Sequence, residues 1–191
     1  MDKTVSLHIA HSFLSSPRCC AFCADNLDIE RGSYIRQCFE PLLLLTVAPR
    51  CKVQIQVQVL RDSGSVLSCA LNAVALALLD AGIQATAVLS AACVAAAPVD
   101  KADGTGKVAG GAADDATHKY LLDPVSAEED VAPTLTVAFA STSPGAVLSL
   151  VERGSFQQHT YNDATLIGRA ACAHVLHFMK ISLERKQNAT A

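Results

Sequence analysis

Apolar and polar positions alternate most cleanly between Cys51 and Leu60, where Val53, Ile55, Val57 and Val59 interleave with Lys52, Gln54, Gln56 and Gln58. A period of two is the spacing of a strand with one face buried and the other wet or covered by a partner. The stretch from Thr4 to Ile9 alternates in the same way. From Leu27 to Val47 the period lengthens. Ile35, Phe39, Leu42, Leu43 and Val47 recur at helical spacing, with Pro41 expected to kink the helix and Ala48, Pro49 and Arg50 to stop it. Asp62 to Ser65 reads as a turn. Val66 to Leu79 is rich in Ala and Leu and apolar nearly all round, which predicts a buried helix. Gly82 stands where a helix C-cap glycine is expected. The small residues Ala70, Ala73, Ala77 and Ala81 would let this helix approach a sheet closely.

Ala85 to Ala97 reads as a buried strand, and three more strands are predicted at 118–122, 134–141 and 146–152. Turns fall at Asp123 and Pro124 and at 143–145. A long helix is predicted from Tyr161 to Lys186, with Asp163 near its start and Arg185 and Lys186 near its end, as the helix dipole favours. Residues 10–25 form a Ser- and Cys-rich loop. Residues 98–117 are rich in Gly, Ala and Asp without periodicity, which predicts a mobile insertion. The expected architecture is one domain spanning 1–191, α/β (α+β in detail), with helices packed on a mixed, mainly antiparallel sheet.

Composition narrows the function classes. The 191 residues suffice for one core-bearing domain. The chain is 51% apolar and 5% aromatic, so its core must come from Ala, Val and Leu. Charged residues make up 17%, below the usual share of about 25%. So few charges predict that partners cover part of the surface. The net charge of −3 argues against a protein that grips polyanions with its whole surface, though not against a local basic strip. No apolar run is long enough for a membrane span, and the first residues lead into no signal core. Cys38, Cys69, Cys93 and Cys172 lie in apolar runs, as free thiols of an intracellular protein would. Cys20 and Cys23 make a single Cys-x-x-Cys, but no second pair completes a zinc site, so loop thiols are expected. His174 and His177 share a helix face without a third ligand and are expected at an interface or at the surface. Asp114, Asp115, Glu128, Glu129 and Asp130 read as solvated loop charges.

The stretch from Gln54 to Ile83 runs strand, Asp-Ser-Gly-Ser turn and buried helix, ending Leu-Asp-Ala-Gly. It resembles the signature of the RNase PH family. A second similarity is Leu122-Asp-Pro-Val-Ser-Ala-Glu-Glu followed by a strand from Leu135, and a third is the helix from His174 to Lys186, like that of the exosome component 5 type. The matches keep their order and spacing over about residues 34–186. The family places further strands before its first helix, so the chain is expected to be N-terminally incomplete. The 98–117 insertion is longer than the family's hairpin connection.

Active members of that family cleave the 3′ end of RNA with phosphate, which needs cations to hold two anions together and carboxylates to bind metal or move protons. The resemblance implies that this machinery is damaged here. The family's Gly-Gly-Thr-Arg turn corresponds to Ser63-Gly64-Ser65-Val66, so a hydroxyl remains at Ser65 while an arginine has become Val66. On the first helix, Gln37 and Glu40 replace arginines, and Arg36 is displaced by one position, roughly 100° around the helix. Glu128 and Glu129 match a carboxylate pair, with a carboxylate retained, but the second aspartate position falls on Leu135. The resemblance therefore implies a vestigial pocket at Gln37, Ser65, Val66, Glu129 and Leu135, with no catalytic residue, no metal and no cofactor. Arg50, Lys52 and Arg61 flank the central strand and are candidates to face RNA, with an ordinary surface role the alternative.

The expected function is that of a non-catalytic RNase PH-like ring subunit of the exosome core, supporting 3′-to-5′ RNA processing and degradation. The implied partners are other RNase PH-like subunits in a hetero-hexameric ring, S1/KH cap subunits, an associated hydrolytic nuclease and RNA, without a membrane. The implied locations are nucleus, nucleolus and cytoplasm. The alternative is an active phosphate-dependent exoribonuclease working alone or as a homodimer.

Overall fold

The computed structural model describes residues 5–9, 26–44, 53–98, 118–142 and 147–190. Along the chain these form β1 (Val5–Ile9), α1 (Asn26–Phe39), β2 (Val53–Val57), α2 (Val66–Asp80), β3 (Leu89–Pro98), β4 (His118–Leu122), α3 (Ser126–Glu129), β5 (Thr134–Ala140), β6 (Val147–Arg153) and α4 (Gln158–Thr190). The strands divide into an antiparallel sheet of order β4-β3-β5-β6 and a separate pair, β1 with β2, which is parallel with Val5 opposite Val53. The fold is mixed α and β with a mainly antiparallel sheet, as the patterning predicts.

The central strands explain the small-residue composition. Every residue from Ala91 to Ala96 and from Thr134 to Ala140 is buried, because helices cover both sheet faces. Leu89, Ala91, Ala138 and Ala140 pack against Leu71, Val74, Ala75 and Leu78 of α2 and against Ile35, Cys38 and Phe39 of α1. Ala92, Val94, Leu135, Val137 and Phe139 point the other way, against Ala164 and Cys172 of α4. Alternate residues of one strand thus serve two cores. α4 passes so close that a Cβ on Gly168 would lie 2.4 Å from the Val137 Cγ2 methyl.

Several boundaries differ from the sequence expectation, each for a local reason. The first helix ends at Phe39 instead of running kinked through Pro41, since proline removes a donor and disfavours helix in the residue before it. Leu43 bridges to Ala85 instead, and the Leu42 carbonyl accepts from the Thr86 N–H at 2.8 Å. Helix α2 ends in a Schellman arrangement. Gly82, at φ 67°, donates to the Leu79 carbonyl, and Ile83 donates to that of Leu78. Of the four alanines expected against the sheet only Ala70 is buried, Ala73 and Ala77 being half-buried and Ala81 an exposed cap. The expectations for residues 10–25, for Cys20 and Cys23, for the 98–117 insertion apart from its first residue, and for Asp114 and Asp115 lie outside the described residues.

Asn72 fills a gap that patterning gives no sign of. β4 pairs with β3 only from Val94 onward, which leaves the Ala91 backbone without a strand partner on that side. The Asn72 side chain supplies both bonds, its Nδ2 donating to the Ala91 carbonyl and its Oδ1 accepting from the Ala91 N–H, each at 2.8 Å.

Candidate functional site

The turn between β2 and α2 is built by Asp62, Gly64 and Ser65. The Asp62 carboxylate accepts from the Gly64 N–H at 3.1 Å, a side-chain bond that closes the bend. Gly64 has φ 105°, and Ser65 adopts the left-handed region at φ 54°, ψ 30°. Ser65 then starts the helix, its carbonyl accepting from the Cys69 N–H at 3.1 Å and from the Ser68 hydroxyl at 2.9 Å. Helix α2 has no acidic residue in its first turn and no side-chain cap from Ser65.

The missing cap comes from 64 residues away. Glu129, the last residue of α3, accepts from the Ser65 N–H at 2.6 Å through Oε1. Its neighbour Glu128 does a different job, reaching back through Oε2 to the Val125 N–H at 2.9 Å and fixing the start of α3. The two loops are clasped at further points. The Ser65 hydroxyl donates to the Pro124 carbonyl at 3.0 Å, and the Ser126 N–H donates to the Ser63 carbonyl at 3.0 Å. A Cβ on Gly64 would fall 2.4 Å from the Pro124 oxygen and 2.7 Å from the Ser126 nitrogen, so the backbones are already in contact. Only glycine meets both the positive φ and the close approach.

Beneath the clasp lie Cys93 and Thr136, directly paired across β3 and β5. Burial pushes the Cys93 thiol up, hydrogen bonding to Thr136 and Ser65 works against this, and the nearby Glu129 and Asp123 carboxylates push it up further. The buried Cys93 thiol forms the floor of the site.

The structure brings together Ser65, Val66 and Glu129 of the sequence-predicted residues. Leu135 is fully buried in the core against α4, on the opposite face of the sheet from the clasp. Strand parity puts Thr136 at that position on the clasp side. Gln37 is exposed on the side of α1 opposite the buried Ile35, Cys38 and Phe39, and among the described residues no hydrogen bond links it to the turn. Arg36, beside it, pairs with Glu40 at 3.5 Å on the surface. Arg61 is exposed, while Arg50 and Lys52 lie outside the described residues. Glu128 and Glu129 are half-buried and bonded, unlike the solvated charges expected from their composition, and Asp130 faces Arg153 at 3.8 Å in the open. His174 and His177 are exposed on α4. Sequence reasoning missed α3 and the roles of Cys93 and Thr136. The polar residues Thr134 and Thr136, alternating with Leu135, Val137 and Phe139, were the signal for the face assignment.

A larger cavity of about 370 Å³ lies elsewhere, between α4 and the ends of β3 and β5. Its lining includes Phe139, Leu166, Ala170 and Leu176, with Arg169 the charged group among the lining residues. It offers apolar contact without a set of converging polar groups.

Residues 2–84 match the 3′ exoribonuclease family, domain 1, of RNase PH type. Over 168 residues the chain is 27% identical to mouse exosome complex component MTR3, covering 86% of this chain and 56% of that protein. Over 59 residues it is 42% identical to human exosome complex component RRP41, covering 31% of this chain and 24% of that protein. The chain thus spans between a quarter and about half of the curated relatives it matches. The crystal structure of rice (Oryza sativa) Rrp46 superposes with a TM-score of 0.67 at 22% identity, over 85% of this chain and 68% of that one. The fold is therefore that of an RNase PH-like protein.

Proposed function

We propose that this RNase PH-like chain, a relative of exosome complex components, is itself a non-catalytic ring subunit of an RNA exosome. The similarity to an exosome component across 86% of the chain carries the reading, because it extends far beyond a single motif. The proposed neighbours are other RNase PH-like subunits in a six-membered ring, with S1/KH cap subunits, a hydrolytic nuclease and RNA as further partners. The proposed locations are the nucleus, the nucleolus and the cytoplasm.

The clasp supports the non-catalytic half of the proposal. Phosphorolysis requires the turn to hold phosphate through free donors and a cation. Here the Ser65 N–H is engaged by Glu129, and the next side chain is the apolar Val66. The remnant of the pocket centres on Ser65, Val66 and Glu129, with Gln37 and Leu135 set apart from it.

Two experiments test this. Tagged full chain expressed in its own cells should co-purify with RNase PH-like ring subunits, and recovery without any of them contradicts ring membership. Purified chain supplied with metal, phosphate and 3′-ended RNA should release no nucleoside diphosphate. Sustained release abolished by Glu129→Ala would establish the alternative, a working phosphate-dependent exoribonuclease.

A further inference from the structure

We infer that the Glu129 carboxylate is the resident anion of the α2 N-terminus, an intramolecular contact that closes the turn 62–66 to inorganic phosphate and to RNA phosphates. The inference deepens the non-catalytic reading above and rests on it.

A helix N-terminus carries roughly half a positive charge, presented by N–H groups that have no partner within the helix. Helix α2 has no acidic side chain in its first turn to balance this, and its leading residue makes no side-chain cap. One carboxylate bound at 2.6 Å to the Ser65 N–H supplies the complement in charge and in hydrogen bonding together. A second anion arriving there would meet the Glu129 charge at close range, with no cation from Val66 to offset it.

The contact is also shut by shape. Ser65 Oγ on the Pro124 carbonyl, the Ser126 N–H on the Ser63 carbonyl and the backbone contact at Gly64 hold the α3 loop against the turn. Glu128 pins the start of α3 and so sets where Glu129 emerges.

Hydrogen exchange followed by mass spectrometry, on the full chain at sub-micromolar concentration, reads the turn directly. In the wild type, exchange across residues 61–70 should be the same in phosphate as in chloride at equal ionic strength. In Glu129→Ala, exchange at the Ser65 amide should rise about tenfold, and phosphate should bring it back down. Slower wild-type exchange in phosphate overturns the proposal. So does a folded Glu129→Ala whose turn exchanges no faster, or exchanges faster without any response to phosphate. Should Glu129→Ala fail to fold, Glu129→Ser decides, since its short neutral side chain removes the charge and no longer reaches the Ser65 N–H. Phosphate must then slow exchange across 61–70, and indifference overturns the closure. Ring membership is read separately by co-purification, so it stands if the closure fails.

Discussion

At the scale of single residues, stability here rests on side chains that finish backbone bonding. Asn72 is the clearest case. Asn72→Ala strips both partners from the Ala91 N–H and carbonyl in a fully buried strand, which should cost about 1–3 kcal/mol. Urea denaturation checks this, and an unchanged midpoint would mean that water or β4 takes over the role. A second residue-scale expectation concerns alkaline pH. Burial pushes the Cys172 thiol up from 9.0 to about 12, Ser90 hydrogen bonding working against it. Burial likewise pushes the Tyr34 hydroxyl up from 10.0 to about 12, although it accepts a hydrogen bond from Ser149 at 2.5 Å. As pH rises past 9 and then 10, the unfolded chain sheds protons that the folded chain retains. The stability from these groups is complete below pH 9 and drains away toward pH 12. Urea midpoints should therefore fall from about pH 9 upward, and Cys172→Ala should flatten the first part of the decline. A profile unaltered by that substitution would assign the slope to other groups.

At the scale of elements, α4 shows how one position sets the distance between layers. Its 33 residues extend about 50 Å. The helix lies across β3 and β5 at Gly168 and reaches α2 at its far end, where Lys186 pairs with Asp80. Glycine within a helix normally gives way to alanine with a gain in stability. At Gly168 the sign should reverse, because the new methyl would sit 2.4 Å from the branched Val137 and 3.4 Å from Val94 in a close-packed layer. Gly168→Ala should lower stability by about 1–3 kcal/mol, read as a drop in the thermal midpoint. A rise would show that α4 can lift from the sheet at little cost. The Lys186–Asp80 pair, exposed on both sides, is expected to contribute little.

At the scale of the whole molecule, what stands out is surface that water does not favour. Val131 is 83% exposed, Phe178 67% and Leu166 62%, in a chain with only 17% charged residues. Among the described residues β6 is an edge of the sheet, and it runs Val-Leu-Ser-Leu-Val before its first charge, with neither proline nor lysine to discourage strand addition. The β1–β2 pair is too narrow to be stable by itself. Covering apolar area and pairing an open edge act in the same direction, so the isolated chain should self-associate at micromolar concentration and become monodisperse with a ring partner. Size-exclusion chromatography of the chain alone and co-expressed with RNase PH-like subunits tests this. A stable monomer indifferent to every such subunit contradicts the assembly reading.

The sequence by itself determined the kinds and order of the elements other than the short α3. Period-two alternation at 53–59, helical spacing at 66–79 and the glycine at 82 each reflect local backbone physics that needs no distant partner. It also carried the resemblance, since the turn at 62–65 and the Leu-Asp-Pro segment are contiguous. Which residues meet was decided only in three dimensions. Glu128 and Glu129 are adjacent and chemically identical, yet one caps its own helix and the other caps α2 from 64 residues away. Leu135 and Thr136 are also neighbours, but the pleat sends one into the α4 core and the other to the floor of the clasp. Local patterning reports the environment of a position averaged over one element. Which neighbour a side chain finds depends on strand parity, loop contact and the close approach permitted at Gly64 and Gly168, all of which exist only once the layers have packed.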